Sequence, residues 1–146
     1  TLKSLNELFD LNLNNKELEK YALRLGADCP FFIDNTPKLV EGIGEKMTSI
    51  DLDLSNYEIR LVNPDIHIST KEAYSRVVPR IPVLEVEKII ELPIIEWKEK
   101  LKNDFEESIF LKHPELRELK DQLYKEGAIY ASMSGSGSVI FSIKYL

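Results

Sequence analysis

Cysteine is nearly absent from this chain: Cys29 is the only one in 146 residues. A single thiol excludes an internal disulfide framework and a zinc site built from cysteines, and a reducing, cytoplasmic setting is the simplest reading. Long apolar runs are missing as well. None approaches the ~20 residues that a bilayer-spanning helix needs, so no transmembrane helix is expected. Positive charge is in deficit, with 19 Lys+Arg against 25 Asp+Glu and a net charge of −6. Without a basic face there is little to neutralise a phosphate backbone, which argues against nucleic acid as a partner. Six glycines and seven prolines are too few for a collagen-like or low-complexity chain. What remains is a globular balance of 43% apolar and 30% charged residues, enough to offset the entropy of ordering. A chain of this length makes one domain, or one domain with part of another.

The first residues favour the second option. Leu2, Leu5, Leu8 and Phe9 follow helical spacing from the outset, with no initiator Met and no signal segment before them. The chain is therefore expected to be a piece of a longer polypeptide. Asn14 with Glu17 forms a capping box for a second helix, in which Leu18, Tyr21, Ala22 and Leu25 share a face and Gly26 is placed to terminate. Pro30 then predicts a change from helix to extended chain, with Asp28 at the bend. Asp34-Asn35-Thr36-Pro37 reads as a turn, and a subdomain boundary is expected near residue 36. Strands are expected over 38–41, 46–50 and 57–62, the first two punctuated by Gly42 and Gly44.

Asn63-Pro64-Asp65 ends the third strand. Ser69 with Glu72 predicts a second capping box and a helix to about Val78, stopped by Pro79 and Pro82. Shorter helices are expected over 83–91 and 94–101. Asn103-Asp104 looks like a cap for a helix over 105–111, and Pro114 opens a longer one that presents Leu116, Leu119 and Leu123 to the core before Gly127. The last two strands, 128–132 and 139–145, flank Ser134-Gly135-Ser136-Gly137 and are expected to form a hairpin. Strands, then helices, then a closing hairpin indicate an α+β fold with helices on one face of an antiparallel sheet.

Three features could carry chemistry. Asp28, between Gly26 and Pro30, could be held partly out of water and accept a proton from a hydroxyl nucleophile; an ordinary turn-forming aspartate would look the same. The glycines and serines of residues 132–138 let backbone N–H groups approach an anion, although a plain hairpin turn uses the same residues. They form neither a Walker A loop nor G-x-G-x-x-G. Thr70 and Tyr74, four apart at a helix start, offer a hydroxyl beside an aromatic ring that could hold a planar base, where a tyrosine more often packs in the core. His67 and His113 lack ligand spacing and read as structural; no metal site is expected.

The order of these segments is more specific than any one of them. Leu25-Gly-Ala-Asp-Cys-Pro-Phe-Phe32, Glu41-Gly-Ile-Gly-Glu45, Ser69-Thr70, Asn103-Asp-Phe-Glu106 and Ala131-Ser-Met-Ser-Gly-Ser-Gly-Ser138 follow one another along nearly the whole chain. That succession resembles the GHMP small-molecule kinase superfamily, in the branch acting on a cytidine diphosphate derivative of non-mevalonate isoprenoid biosynthesis. The resemblance implies transfer of the γ-phosphoryl of ATP, with Mg2+, to an alcohol of that substrate. It implies a catalytic role for Asp28, a cytosine-stacking role for Tyr74 with Thr70 among the polar contacts, and backbone contact with the base at Gly42 and Ile43. The Ser134, Gly135, Ser136, Gly137 loop aligns with the superfamily's third motif, beside the phosphates. Residues 1–35 would be the tail of the ATP-binding N-terminal domain and residues 36–146 a ferredoxin-like C-terminal domain.

The superfamily's N-terminal lysine and its Pro-x-x-x-Gly-Leu-Gly-Gly-Gly-Ser-Ser phosphate loop do not occur in this sequence. The chain alone is therefore expected to be inactive, and no oligomeric state is implied. Two other readings remain open at this point. One is a GHMP kinase for a different small molecule, and the other is a non-catalytic ferredoxin-like ligand-binding module.

Overall fold

A computed structural model describes residues 1–42, 44, 46–75, 77 and 84–146. Ile43, Val78 and the stops expected at Pro79 and Pro82 lie outside the described residues, and the helix expected to reach Val78 ends earlier, at Tyr74. The chain divides into two compact units, Thr1–Leu52 and Asp53–Leu146. The sequence reading puts its boundary near residue 36. The unit instead runs on through a two-stranded ribbon whose strands pair only with each other.

In the first unit, helices α1 (Leu2–Leu8) and α2 (Asn15–Leu23) are followed by a short α3 (Phe31–Asp34). The capping box forms as expected. The Glu17 N–H donates to Asn14 Oδ1 at 3.1 Å, and the Asn14 N–H donates to Glu17 Oε2 at 2.9 Å, satisfying two otherwise orphan donors. Leu18 and Ala22, one helical turn apart, bury against Ile33 of α3, with Leu2, Leu13 and Cys29 partly covering them.

Two local expectations need correcting here. Gly26 does not close α2 in a left-handed conformation; Arg24 caps it at φ −71°, ψ −17°, and Gly26 leaves room for Cys29, whose Sγ would lie 3.3 Å from an added Cβ. The chain after Pro30 is helical, not extended. Pro30 sits at φ −59°, ψ −35°, suited to starting a helix, and Asn35 at φ 55° ends the turn. Strands β1 (Lys38–Glu41) and β2 (Lys46–Ser49) then pair antiparallel, Lys38 opposite Ser49 and Glu41 opposite Lys46.

The second unit is built on β3 (Tyr57–Val62), β4 (Tyr130–Met133) and β5 (Ile140–Tyr145), in the order β3-β5-β4, all antiparallel. The expected hairpin is β4–β5, and β5 lies at the centre. Between β3 and β4 run α4 (Thr70–Tyr74), α5 (Val86–Ile90), a 3₁₀ turn (Ile94–Glu96), α6 (Trp97–Lys100), α7 (Phe105–Lys112) and α8 (Pro114–Lys125). Pro114 occupies the first turn of α8, where its missing N–H costs nothing, and Gly127 at φ 98° ends it.

Leu116 and Leu123 of α8 are buried, and Leu119 packs beside them. With Ile109 and Phe110 of α7 they cover the sheet face formed by Ala131, Met133, Ile140 and Val62. Strand alternation puts Tyr130, Phe141 and Ile143 on the opposite face. There Trp97 stacks edge-on against Tyr130, its ring 5.7 Å away, so α6 adds cover that the one-face expectation did not include. Burial pushes the Tyr130 phenol up to about 12, and its hydroxyl donates to the Leu101 carbonyl at 3.1 Å. Antiparallel sheets with packed helices are the α+β arrangement the sequence implies.

Candidate functional site

The expected site residues fall into two groups, one in each unit. Asp28 lies in the turn between α2 and α3, where the Cys29 N–H donates to the Gly26 carbonyl and the Phe32 N–H to the Cys29 carbonyl, both at 3.2 Å. Its carboxylate is exposed, a correction to the expectation of partial burial. The helical turn after Pro30 folds the apolar Ile33 inward and leaves Asp28 on the outside. No hydrogen bond or ion pair engages that carboxylate among the described residues. It is free to meet a hydroxyl brought to it.

The loop between β1 and β2 closes on the same turn. Gly42 adopts φ 68° and Gly44 φ 108°. A Cβ on Gly44 would lie 2.7 Å from the Ala27 carbonyl oxygen, so only glycine lets this loop approach the Ala27–Asp28 backbone. Gly44 belongs to the Glu41-Gly-Ile-Gly-Glu45 segment but is not among the expected site residues. Its signal is visible solely once the fold brings residues 27 and 44 together.

In the second unit, Ser69 caps α4 by accepting from the Glu72 N–H at 3.1 Å. The reciprocal half of the expected capping box does not form. The Glu72 carboxylate instead takes a hydrogen bond from Lys112 Nζ at 2.9 Å, which holds its pKa below the usual carboxylate value, and His113 adds to the same effect. The helix ends at Tyr74, with Ser75 Oγ donating to the Glu72 carbonyl at 2.7 Å. Thr70 is exposed, and Tyr74 keeps 64% of its surface open while its ring rests edge-on against Phe105 at 4.8 Å. One exposed face of α4 thus carries a hydroxyl and an aromatic ring.

The Ser134–Gly137 loop sits at the tip of the β4–β5 hairpin. The Ser134 N–H donates to the Val139 carbonyl at 2.8 Å and the Gly137 N–H to the Ser134 carbonyl at 3.0 Å. Ser134 and Gly135 are exposed, and the amides of Gly135 and Ser136 have no protein acceptor among the described residues, which leaves them available to an anion. Gly137 at φ 93° fits under Met133 and Ile68; an added Cβ would lie 2.8 Å from Met133 Sδ. Ser138 Oγ donates to the Ile66 carbonyl at 2.5 Å, stitching the loop to the segment that leads into α4. The fold therefore brings α4 and the Gly/Ser loop to neighbouring positions.

A large-volume opening among the described residues of this unit is not suited to a phosphate. An open cavity of about 530 Å³ between α6, α7 and α8 carries Lys98, Lys102, Arg117 and Lys120, but also Asp104, Glu106, Glu107 and Asp121. Four cations against four carboxylates leave no net charge to draw a phosphate. Among the described residues no group of three or more His, Cys, Asp or Glu could hold a metal ion, and no helix is long and apolar enough to cross a membrane.

Residues 85–144 match the family described as GHMP kinases C terminal. A 4-diphosphocytidyl-2-C-methyl-D-erythritol kinase of Bacteroides thetaiotaomicron is 49% identical over 142 residues, covering 97% of this chain and 52% of that protein. The enzyme of the same description from Azobacteroides pseudotrichonymphae is 52% identical over 140 residues, covering 95% and 52%. A crystal structure of 4-(cytidine 5'-diphospho)-2C-methyl-D-erythritol kinase superposes with a TM-score of 0.81 at 29% identity, over 96% of this chain and 51% of that one. The chain spans about half the length of the curated relatives it matches. By sequence and by fold, the chain is similar to about half the length of the 4-diphosphocytidyl-2-C-methyl-D-erythritol kinases, and its residues 85–144 match the GHMP kinases C terminal family.

Proposed function

We propose that this chain serves the ATP-dependent phosphorylation of the 2-hydroxyl of 4-diphosphocytidyl-2-C-methyl-D-erythritol, a small-molecule kinase reaction of non-mevalonate isoprenoid biosynthesis. The observation that carries this reading is the exposed Thr70–Tyr74 face beside the Gly/Ser loop, in a chain about half identical to kinases of that description. Tyr74 supplies a flat surface for cytosine, a contact of roughly 1–3 kcal/mol per base in stacking platforms. Thr70 adds a hydroxyl donor or acceptor, and Gly42 and Ile43 are carried in this reading as further candidate base contacts. In this reading the Gly135 and Ser136 amides, without a protein acceptor among the described residues, serve the phosphates.

Asp28 takes the chemical role. Phosphoryl transfer depends on in-line positioning, charge neutralisation and a polar group on the attacking hydroxyl. An unpaired, exposed carboxylate can accept the hydrogen bond of that hydroxyl, and its proton as the new O–P bond to the γ-phosphorus forms, while the bond from that phosphorus to the β–γ bridging oxygen breaks and ADP leaves with its electron pair. Mg2+ would accompany the ATP phosphates in this reading.

Assaying the full-length protein with ATP and this substrate tests the reading. Phosphorylated product is expected, and cytidine diphosphate should compete. The 146-residue chain alone should give no turnover, since its sequence holds neither the lysine nor the phosphate loop noted above. Turnover by the chain alone, or indifference to cytidine diphosphate, would overturn it.

A further inference from the structure

The Asn103-Asp104-Phe105-Glu106 segment does more in this fold than cap a helix. Asn103 Nδ2 donates at 2.8 Å to two carbonyls at once, Met133 at the end of β4 and Gly135 in the Gly/Ser loop. Its Oδ1 accepts from the Phe105 N–H at 2.9 Å. Both amide hydrogens and the carbonyl of one side chain are used, so its orientation is unique: two acceptors face the NH₂ and one donor faces the oxygen. Aspartate is nearly isosteric, but it would set an oxygen against two carbonyl oxygens.

Two residues on, the Phe105 ring meets Tyr74 at 4.8 Å and 70° between planes. Tyr74 needs that support. It is 64% exposed on a five-residue helix that buries only Ala73, and nothing in so short a helix fixes the ring by itself. Glu106 completes the segment. Its Oε1 accepts from the Met133 N–H at 2.8 Å and from Ser132 Oγ at 3.2 Å, while Lys120 Nζ donates to Oε2 at 2.6 Å.

We propose that Asn103 and Phe105 are positioning residues: Phe105 orients the Tyr74 ring, Asn103 fixes the backbone of the Ser134–Gly137 loop, and one short segment thereby sets base and phosphate subsites in register. The inference rests on the reading of Tyr74 and the loop given above. A contact made at the base end and a contact made at the phosphate end should then fail in different ways. Loss of Phe105 acts through the base alone, so it should weaken cytidine and cytidine diphosphate equally. Loss of Asn103 acts on the loop, so it should weaken the diphosphate more than the nucleoside.

The experiment measures calorimetric affinities of cytidine and cytidine diphosphate for the full-length protein. The variants are Phe105→Leu, Phe105→Met, Asn103→Asp, Asn103→Ser, Tyr74→Ala and the Phe105→Leu/Tyr74→Ala double substitution, each checked by thermal unfolding. Two substitutions at each position keep the comparison available if one destabilises the fold. Phe105→Leu should cost about three- to tenfold for both ligands when Tyr74 is present, within the range of an aromatic pair, and nothing further in the Tyr74→Ala background. Asn103→Asp should raise the ratio of diphosphate to nucleoside dissociation constants by about fivefold or more, as expected for a misplaced hydrogen-bonding backbone. Phe105 and Tyr74 effects that simply add, or Asn103 effects equal for both ligands, would overturn the proposal. Should Tyr74→Ala leave both affinities unchanged, the base-stacking reading itself fails and the Phe105 role with it. A Tyr74 effect without a Phe105 effect defeats the positioning role alone.

Discussion

The two units bury their apolar residues very differently. In the second, Leu116, Ile140, Ala131, Ala73 and Ile109 are almost wholly out of water, within a cluster that joins three helices to three strands. In the first, the buried cluster is Leu18, Ala22 and Ile33, and around it Leu8, Phe9, Leu11, Leu25 and Phe32 stand more than half exposed. Each exposed side chain of that size forgoes roughly 1.5–3 kcal/mol of burial. The first unit therefore depends on local devices, the Asn14–Glu17 capping box and the Asp34–Lys38 ion pair at 2.7 Å, more than on a core. The second can leave side chains such as Tyr74 exposed because its interior does not depend on them. In the proposed function Asp28 lies on the thinner unit and Tyr74 on the better-packed one.

The sharpest way to break this contrast is native-state hydrogen exchange. Amides of β5 and α8 should exchange orders of magnitude more slowly than those of α2 and α3, because opening the second unit exposes a continuous core. Equal protection in both units would remove the distinction. Next in size is Leu116→Ala, expected to cost about 2–5 kcal/mol in the second unit, while Leu8→Ala, whose side chain is already exposed, should change stability by no more than about 0.5 kcal/mol. Denaturant titration of both variants gives the comparison.

Alkali should act through the second unit by a lesser amount. Burial holds the Tyr130 phenol at about 12, above its unfolded value near 10, so the neutral form is favoured in the fold. That contribution, about 2–3 kcal/mol, is intact below pH ~10 and is lost as the pH rises through about 12. Unfolding curves taken between those limits should shift for the natural chain and stay flatter for Tyr130→Phe. The smallest expected effect is in the first unit, where Asn14→Ala removes the capping box at a cost of about 1 kcal/mol, read from α2 exchange rates.

What the sequence disclosed and what it hid follow from the range of the interactions. Asn14 with Glu17, the bounds of β1 and β3, the amphipathic α8 and the β4–β5 hairpin are all written within a few residues of chain. The pairing of β3 with β5 sets Tyr57 opposite Tyr145, a register no local pattern specifies. Ser69–Glu72 looked like a complete capping box, yet Lys112, distant in sequence, takes the carboxylate away. Pro30 was legible as a break but not as the start of α3, since the deciding contact is Ile33 with the α2 residues Leu18 and Ala22. For the candidate site, Thr70, Tyr74 and the Gly/Ser loop could be named from spacing. The fit of Gly44 against Ala27 and the reach of Asn103 to Met133 and Gly135 could not, because each joins segments separated along the chain.

The division of labour between Asp28 and Tyr74 is tested most directly by steady-state kinetics of Asp28→Asn in the full-length protein. Amide replaces carboxylate at an exposed position without altering the fold. The expected result is a fall in kcat of about 100-fold or more, the usual worth of a positioned acid–base group, with KM for the cytidine substrate nearly unchanged. A kcat within a few-fold of the natural protein, or a loss confined to KM, would contradict the assignment of the chemistry to Asp28.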